Sequence, residues 1–248
     1  MANAPQDPPT PLAAFYQRVQ QIPDNTCFVQ PLENQIEEYS WSRVDNEVRR
    51  MAAYLYLLEL PPASNIALFS KNCAHWIMAD LAIWMAGHVS VPLYPTLTPE
   101  SIASIMEHSG CCAVFVGKID GWDNMKAGIP AGLPIIGFPS SPEEILQLHS
   151  RWDHILENYL PFASSPEREL DELATIVYTS GTTGTPKGVM HSFRTMGLAG
   201  MLAGELYQTD ASDRALSYLP LAHVAERAAV EICQLYQGYT VYFAHSLE

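Results

Sequence analysis

The 248-residue chain is 48% apolar and 16% charged, which excludes a disordered protein and leaves room for a large core. A formal net charge of -14 argues against a basic face for nucleic acid or anionic lipid. The five cysteines are odd in number and form no Cys-x-x-Cys pair, so free buried thiols in a reducing compartment are expected rather than a disulfide framework.

Residues 1–11 are Pro-rich and polar, with neither the basic nor the apolar region of a signal peptide. The segment 12–21 predicts a short helix, and 26–30 with 36–39 a hairpin around Asn34. Ser40 is placed to cap a helix running to Leu58, with Val44, Val48, Met51 and Leu55 on one face. Pro61 and Pro62 end it. Next come a buried strand at 65–70 and a helix at 74–86 that is apolar almost all round, closed by Gly87. The apolar region 76–94 is broken by Asp80 and His88 and falls short of the roughly 20 apolar residues of a bilayer span. A protein without a transmembrane segment, located in the cytoplasm, is expected.

Strands at 89–94, 112–116 and 133–138 alternate with a helix that Thr98 caps, Pro99 opens and Gly110 follows. This βα rhythm predicts a layered α/β/α fold with a mainly parallel sheet. Residues 142–160 read as one helix. It begins an acidic connector to Glu172, in which eight acids face two arginines, the composition of a solvated linker. The histidines show no ligand spacing with each other or with cysteine, so a structural metal is not expected.

A β-branched and aromatic run at 173–178 precedes Thr179-Ser-Gly-Thr-Thr-Gly-Thr-Pro-Lys-Gly188. Ser/Thr/Gly-rich loops are mostly plain turns. This one ends on Lys187, one of four lysines in an acidic chain, and its hydroxyls and backbone N–H groups could form a concave anion site. It is not a Walker A loop, which would place Gly and Ser/Thr where Pro186 and Gly188 stand, nor a Rossmann loop, because Thr183 replaces the second glycine. The apolar stretch 189–191 and a helix capped by Ser192 over 193–207 imply that the loop joins two strands. A strand at 214–218, a helix at 224–237 and a strand at 239–244 complete the pattern. Between them lies Tyr218-Leu-Pro-Leu-Ala-His-Val-Ala-Glu-Arg227, at the strand-to-helix position where α/β sheets expose site residues. A lone histidine among apolar residues is more often structural than functional. Glu226 and Arg227 are expected to pair or to fix this corner.

The run 178–188 resembles, position for position, the phosphate-loop signature of the adenylate-forming superfamily of acyl-CoA synthetases, luciferases and peptide-synthetase adenylation domains. The Leu219-Pro-Leu-Ala-His223 segment looks most like the long-chain fatty acyl-CoA synthetase branch, and 72–99 resembles the family's early βα segment. The resemblance implies the front half of a large N-terminal domain, with residues 17–141 as a first βα subdomain after a flexible 1–16, 142–172 as connector, and 173–248 as the phosphate-loop and substrate-motif segment.

It also implies ATP, Mg²⁺ and coenzyme A as reactants and a medium- or long-chain fatty acid as substrate. Ser180, Gly181, Thr182, Thr183, Gly184 and Lys187 would hold the phosphates, with Lys187 stabilising charge during the reaction. Thr179 would bind them too and ligate Mg²⁺, and His223 would line the acyl pocket. The family's adenine-binding, ribose-binding and C-terminal lysine elements have no counterpart in 1–248. The expectation is therefore a fragment, inactive alone and prone to dimerise through bared edges. A non-catalytic nucleotide-binding or interaction module, an adenylating enzyme for a non-fatty carboxylate, and a different phosphate-loop enzyme stay open as alternatives.

Overall fold

The computed structural model describes residues 7–32, 35–179 and 186–244. Helix α1 (Pro11–Gln21) starts on Thr10, whose hydroxyl accepts from the Ala13 N–H at 3.2 Å. It begins inside the stretch 1–16 expected to be flexible, because Leu12 and Phe15 are fully buried and anchor it. Strands β1 (Thr26–Pro31) and β2 (Ile36–Ser40) form the expected antiparallel hairpin, whose tip at Asn34 lies outside the described residues. Ser40 caps α2 (Trp41–Leu57), which buries Val44, Val48, Met51 and Leu55.

The alternation then runs through β3 (Asn65–Phe69), α3 (Ala74–Met85), β4 (Val89–Leu93), α4 (Pro99–Ser109) and β5 (Cys111–Val116). Gly87 and Gly110 follow their helices at φ +85° and +62°, backbone that glycine adopts without steric cost. After α5 (Trp122–Met125) and β6 (Ile135–Gly137), the helix expected over 142–160 is instead two, α6 (Glu143–Leu148) and α7 (Trp152–Asn158). Between them β7 (Ser150–Arg151) pairs with Ile136 and Gly137, so the open edge of β6 overrides local helix preference.

The acidic run is no free tether either. Trp152 and Ile155 are buried in the main core, and the Trp152 indole N–H donates to Glu47 Oε2 at 3.0 Å. Arg49 and Arg50 hold the carbonyls of Ser164 and Tyr159, each at 2.6 Å. The acids Asp153, Glu157, Glu167, Glu169 and Asp171 remain on the solvent side.

The chain continues through β8 (Leu173–Thr179), β9 (Lys187–Ser192), α8 (Phe193–Tyr207) and β10 (Arg214–Ser217). One helical run follows, made of α9 (Val224–Glu226), a wider π-helical stretch Arg227–Ile232 and α10 (Cys233–Gln237), before β11 (Thr240–Phe243). Two sheets result. The larger has the order β7-β6-β5-β3-β4-β8-β9, parallel except for the last pair. The smaller has the order β10-β11-β1-β2, parallel except for β1 and β2. Both draw strands from either side of the acidic run.

Successive residues of the central strands feed opposite cores, as the two-residue side-chain period dictates. Ile66 and Leu68 join the main core, while Ala67 and Phe69 join a second core under α4. Helix α3 lies against β3 and β4 of the larger sheet and β1 of the smaller, and all twelve of its residues are buried. Its apolar surface is thus spent inside the protein; among the described residues no helix is long and apolar enough to cross a membrane. All five cysteines are free, and burial pushes the Cys73 and Cys111 thiols up to about 11, which makes them unreactive.

Candidate functional site

The glycine- and hydroxyl-rich loop does join two strands. β8 and β9 pair in antiparallel register, with Thr179 opposite Lys187 at the mouth of the hairpin. Both are exposed, and among the described residues no acid pairs with Lys187. Ser180, Gly181, Thr182, Thr183 and Gly184 lie outside the described residues. Gly188 is needed for space rather than for a turn: a Cβ there would stand 2.8 Å from Ile176 Cγ2 and 3.1 Å from the Tyr178 ring. The Tyr178 hydroxyl is 2.7 Å from His108 Nδ1, which pins this end of the hairpin to α4.

The second motif turns off the end of β10. Asn72, just past β3, clamps it with three bonds. Its amide donates to Ser217 Oγ at 2.8 Å and to the Leu219 carbonyl at 2.6 Å, and its carbonyl accepts from the Leu221 N–H at 2.9 Å. Carboxyl ends of strands from both sheets therefore meet here, the ordinary place for an α/β site. His223 is exposed and caps α9, its Nδ1 accepting from the Ala225 N–H at 3.1 Å. That bond puts the proton of the neutral ring on Nε2, the form that donates to a carboxylate oxygen.

Glu226 and Arg227 do not pair, because adjacent helical residues point in different directions. Glu226 turns back to β10 and accepts from Ser217 Oγ and the Tyr218 N–H, both at 3.0 Å. Arg227 turns the other way, into a fully buried cluster. Its guanidinium donates to Glu231 Oε2 at 2.9 Å, to Thr175 Oγ1 on β8 at 2.7 Å and to Asp80 Oδ2 on α3. Burial disfavours the Arg227 charge, but Asp80 and Glu231 more than offset this and hold its pKa up. Burial drives the Glu231 carboxyl well above its usual range against the pull of Arg227, and neighbouring Asp80 adds to the rise. His191 on β9, opposite Thr175, is held below the usual imidazole value by burial and then by the Arg227 charge.

The structure thus brings Thr179 and Lys187 together directly. It links His223 to their hairpin through Arg227, whose backbone N–H donates to the His223 carbonyl at 3.2 Å. Asn72, Thr175 and His191 received no role from the sequence. Two cavities, of about 440 and 420 Å³, lie elsewhere and are lined by none of these residues.

The fold matches that of the anthranilate CoA ligase AuaEII, solved in complex with anthranoyl-AMP, with a TM-score of 0.84 at 17% identity over 97% of this chain and 46% of that one. By sequence the chain is similar to long chain acyl-CoA synthetase 6, peroxisomal, of Arabidopsis thaliana, at 32% identity over 74% of this chain and 28% of that protein. It is also similar to long chain acyl-CoA synthetase 2 of the same plant, at 27% identity over 97% of this chain and 39% of that protein. It therefore spans about a third of the length of these curated relatives. The model of the AMP-binding enzyme family matches residues 15–247, and the chain belongs to that family.

Proposed function

We propose that the protein activates a carboxylic acid with ATP and transfers the acyl group to coenzyme A, and that the acid is a medium- or long-chain fatty acid. The observation that carries this reading is the β8–β9 hairpin, with Thr179 and Lys187 on opposite sides of its mouth, in a chain of the AMP-binding family. A carboxylate oxygen attacks the α-phosphorus of ATP, the bond to the β-phosphate bridging oxygen breaks, and pyrophosphate leaves. The thiolate of coenzyme A then attacks the acyl carbon and AMP leaves with the electron pair.

In this reading Lys187 places a mobile charge against the β- and γ-phosphates, while Ser180, Gly181, Thr182, Thr183 and Gly184 supply N–H and hydroxyl donors to them. The Thr179 hydroxyl, exposed at the hairpin mouth, suits one position of a Mg²⁺ that keeps most of its waters. The metal's contribution is to offset charge on the phosphates. His223 lines the acyl pocket and donates from Nε2 to the carboxylate, which aligns it for attack. The fatty-acid assignment is supported by the apolar Leu219–Ala222 flank and by the sequence likeness to long-chain acyl-CoA synthetases.

The test is carboxylate-dependent ATP–pyrophosphate exchange by the protein expressed from its complete reading frame. Each added methylene is expected to raise kcat/KM about fourfold before levelling, from about 0.8 kcal/mol per buried CH₂. Preference for acetate or an aryl acid over dodecanoate would overturn the substrate class. No exchange with any acid would overturn the activity.

A further inference from the structure

Asp80, Thr175, Arg227 and Glu231 form a polar cluster in the middle of an apolar core, every member fully buried. Trp76, Asp80 and Trp84 stand four residues apart on α3, so they form one stripe along its face. The two indole rings lie 5.4 and 5.7 Å from the guanidinium carbon of Arg227, and Asp80 between them takes its Nη2. The cluster therefore gathers three separate segments: α3, strand β8, and the turn that carries His223.

Stability alone does not account for such a cluster. A buried ion pair gives little over apolar residues of equal volume, because removing its charges from water offsets most of their attraction. Two acids share one arginine here, so one carboxyl is pushed toward its neutral form by burial, which adds to the cost. What the cluster does supply is fixed geometry. Thr175 is tied on both sides, accepting from Arg227 at 2.7 Å and donating to the Ser90 carbonyl of β4 at 2.9 Å. Thr179 lies four residues on along β8, on the same face, about 13 Å away at the strand rise. The Arg227 backbone N–H makes the helical i→i−4 bond to the His223 carbonyl at 3.2 Å, so the anchored side chain fixes the first turn that begins at His223. The helix widens into its π-helical stretch from Arg227 onward.

We infer that Arg227 is a positioning residue, which locks the turn bearing His223 to the strand bearing Thr179 so that acid and phosphates meet in one register. The inference rests on the acid-activation reading above. Arg227 touches no reactant; it acts by holding two elements that do.

The experiment compares Thr175→Val, Thr175→Ser and Arg227→Lys with wild type, each expressed from the complete reading frame. Thr175→Val keeps the side-chain shape but removes the hydroxyl that receives Arg227 and, with it, the bond to the Ser90 carbonyl. A loss is assigned to the Arg227 link where amide exchange also quickens in 219–226, which the Ser90 bond does not touch, and this holds even where Arg227→Lys fails to fold. Its kcat for pyrophosphate exchange is expected to fall about 5- to 20-fold, with KM for ATP within about twofold of wild type. Thr175→Ser restores the link and is expected to return kcat to within about twofold of wild type. Wild-type kcat in Thr175→Val, or equal losses in the Val and Ser variants, would overturn the inference. If wild type itself shows no exchange with any acid, the functional reading has failed, and the link is then read by amide hydrogen exchange. Thr175→Val is expected to speed exchange in both 187–192 and 219–226; no change in either overturns the inference.

Discussion

Thr179 and Lys187 are cross-strand partners, although seven residues lie between them in sequence. Hydroxyl and ammonium are thus carried on a two-stranded frame rather than at a helix start. Among the described residues no helix starts at the hairpin mouth, so the charge on Lys187 is the feature to test there. Lys187→Ala is expected to slow pyrophosphate release about 10- to 1000-fold. Single-turnover kinetics on the complete reading frame check this; an unchanged rate removes Lys187 from the phosphate site.

Gly188 supports the same frame through its lack of a side chain. A Cβ would press into Ile176 and the Tyr178 ring. Gly188→Ala is expected to cost about 1–3 kcal/mol in a urea titration. Gly188→Ala should cost less on an Ile176→Ala background, which lacks the Cγ2 atom nearest the added methyl. If the single variant is as stable as wild type, the hairpin accommodates the methyl and the close approach is not a constraint.

Asn72 is a second hinge pin, reaching from β3 to the turn after β10. Asn72→Ala leaves the Leu221 N–H and the Leu219 carbonyl to find new partners, at a cost of about 1–3 kcal/mol. Because that turn leads to His223, KM for the acid should rise more than KM for ATP. Equal changes in both constants would show that Asn72 serves general stability only.

His75 gives the protein an acid-sensitive core. It packs among Tyr39, Phe138 and Trp152, and burial lowers its pKa from 6.5 to about 3. Between these values the unfolded chain binds a proton that the folded chain does not. Stability therefore falls as pH drops from about 6.5 toward 3, by up to about 1.4 kcal/mol per unit from this group. His75→Phe keeps a ring in place and is expected to flatten this limb. Urea midpoints of both proteins between neutral and mildly acidic pH check it; parallel curves would rule His75 out.

Much of this architecture is readable from local chemistry. Ser40, Thr98 and Ser192 mark helix starts because each offers an acceptor to a free N–H three residues on. Gly87 and Gly110 mark helix ends because other residues resist their φ values. The β8–β9 hairpin is legible too, since strand residues flank the loop on both sides.

The break between α6 and α7 was not. Ile145, Trp152 and Ile155 keep helical spacing, and only the distant edge of β6 draws Ser150 and Arg151 out of line. The partners of Arg227 were hidden for a similar reason. Asp80 and Thr175 are remote in sequence, and the local reading turned to adjacent Glu226 instead of Glu231, the acid one helical turn on.

The smaller sheet has a consequence for how the chain is made. β1 lies between β2, which leaves the ribosome in the same hairpin, and β11, which follows roughly two hundred residues later. At synthesis rates of about 5–20 residues per second, one edge of β1 waits some 10–40 s for its partner. Throughout that interval Phe28 has no Phe243 to stack against and the nascent chain carries an unpaired strand. Slower translation lengthens that exposure, so the time β1 spends with one bare edge is set by the ribosome rather than by the finished fold.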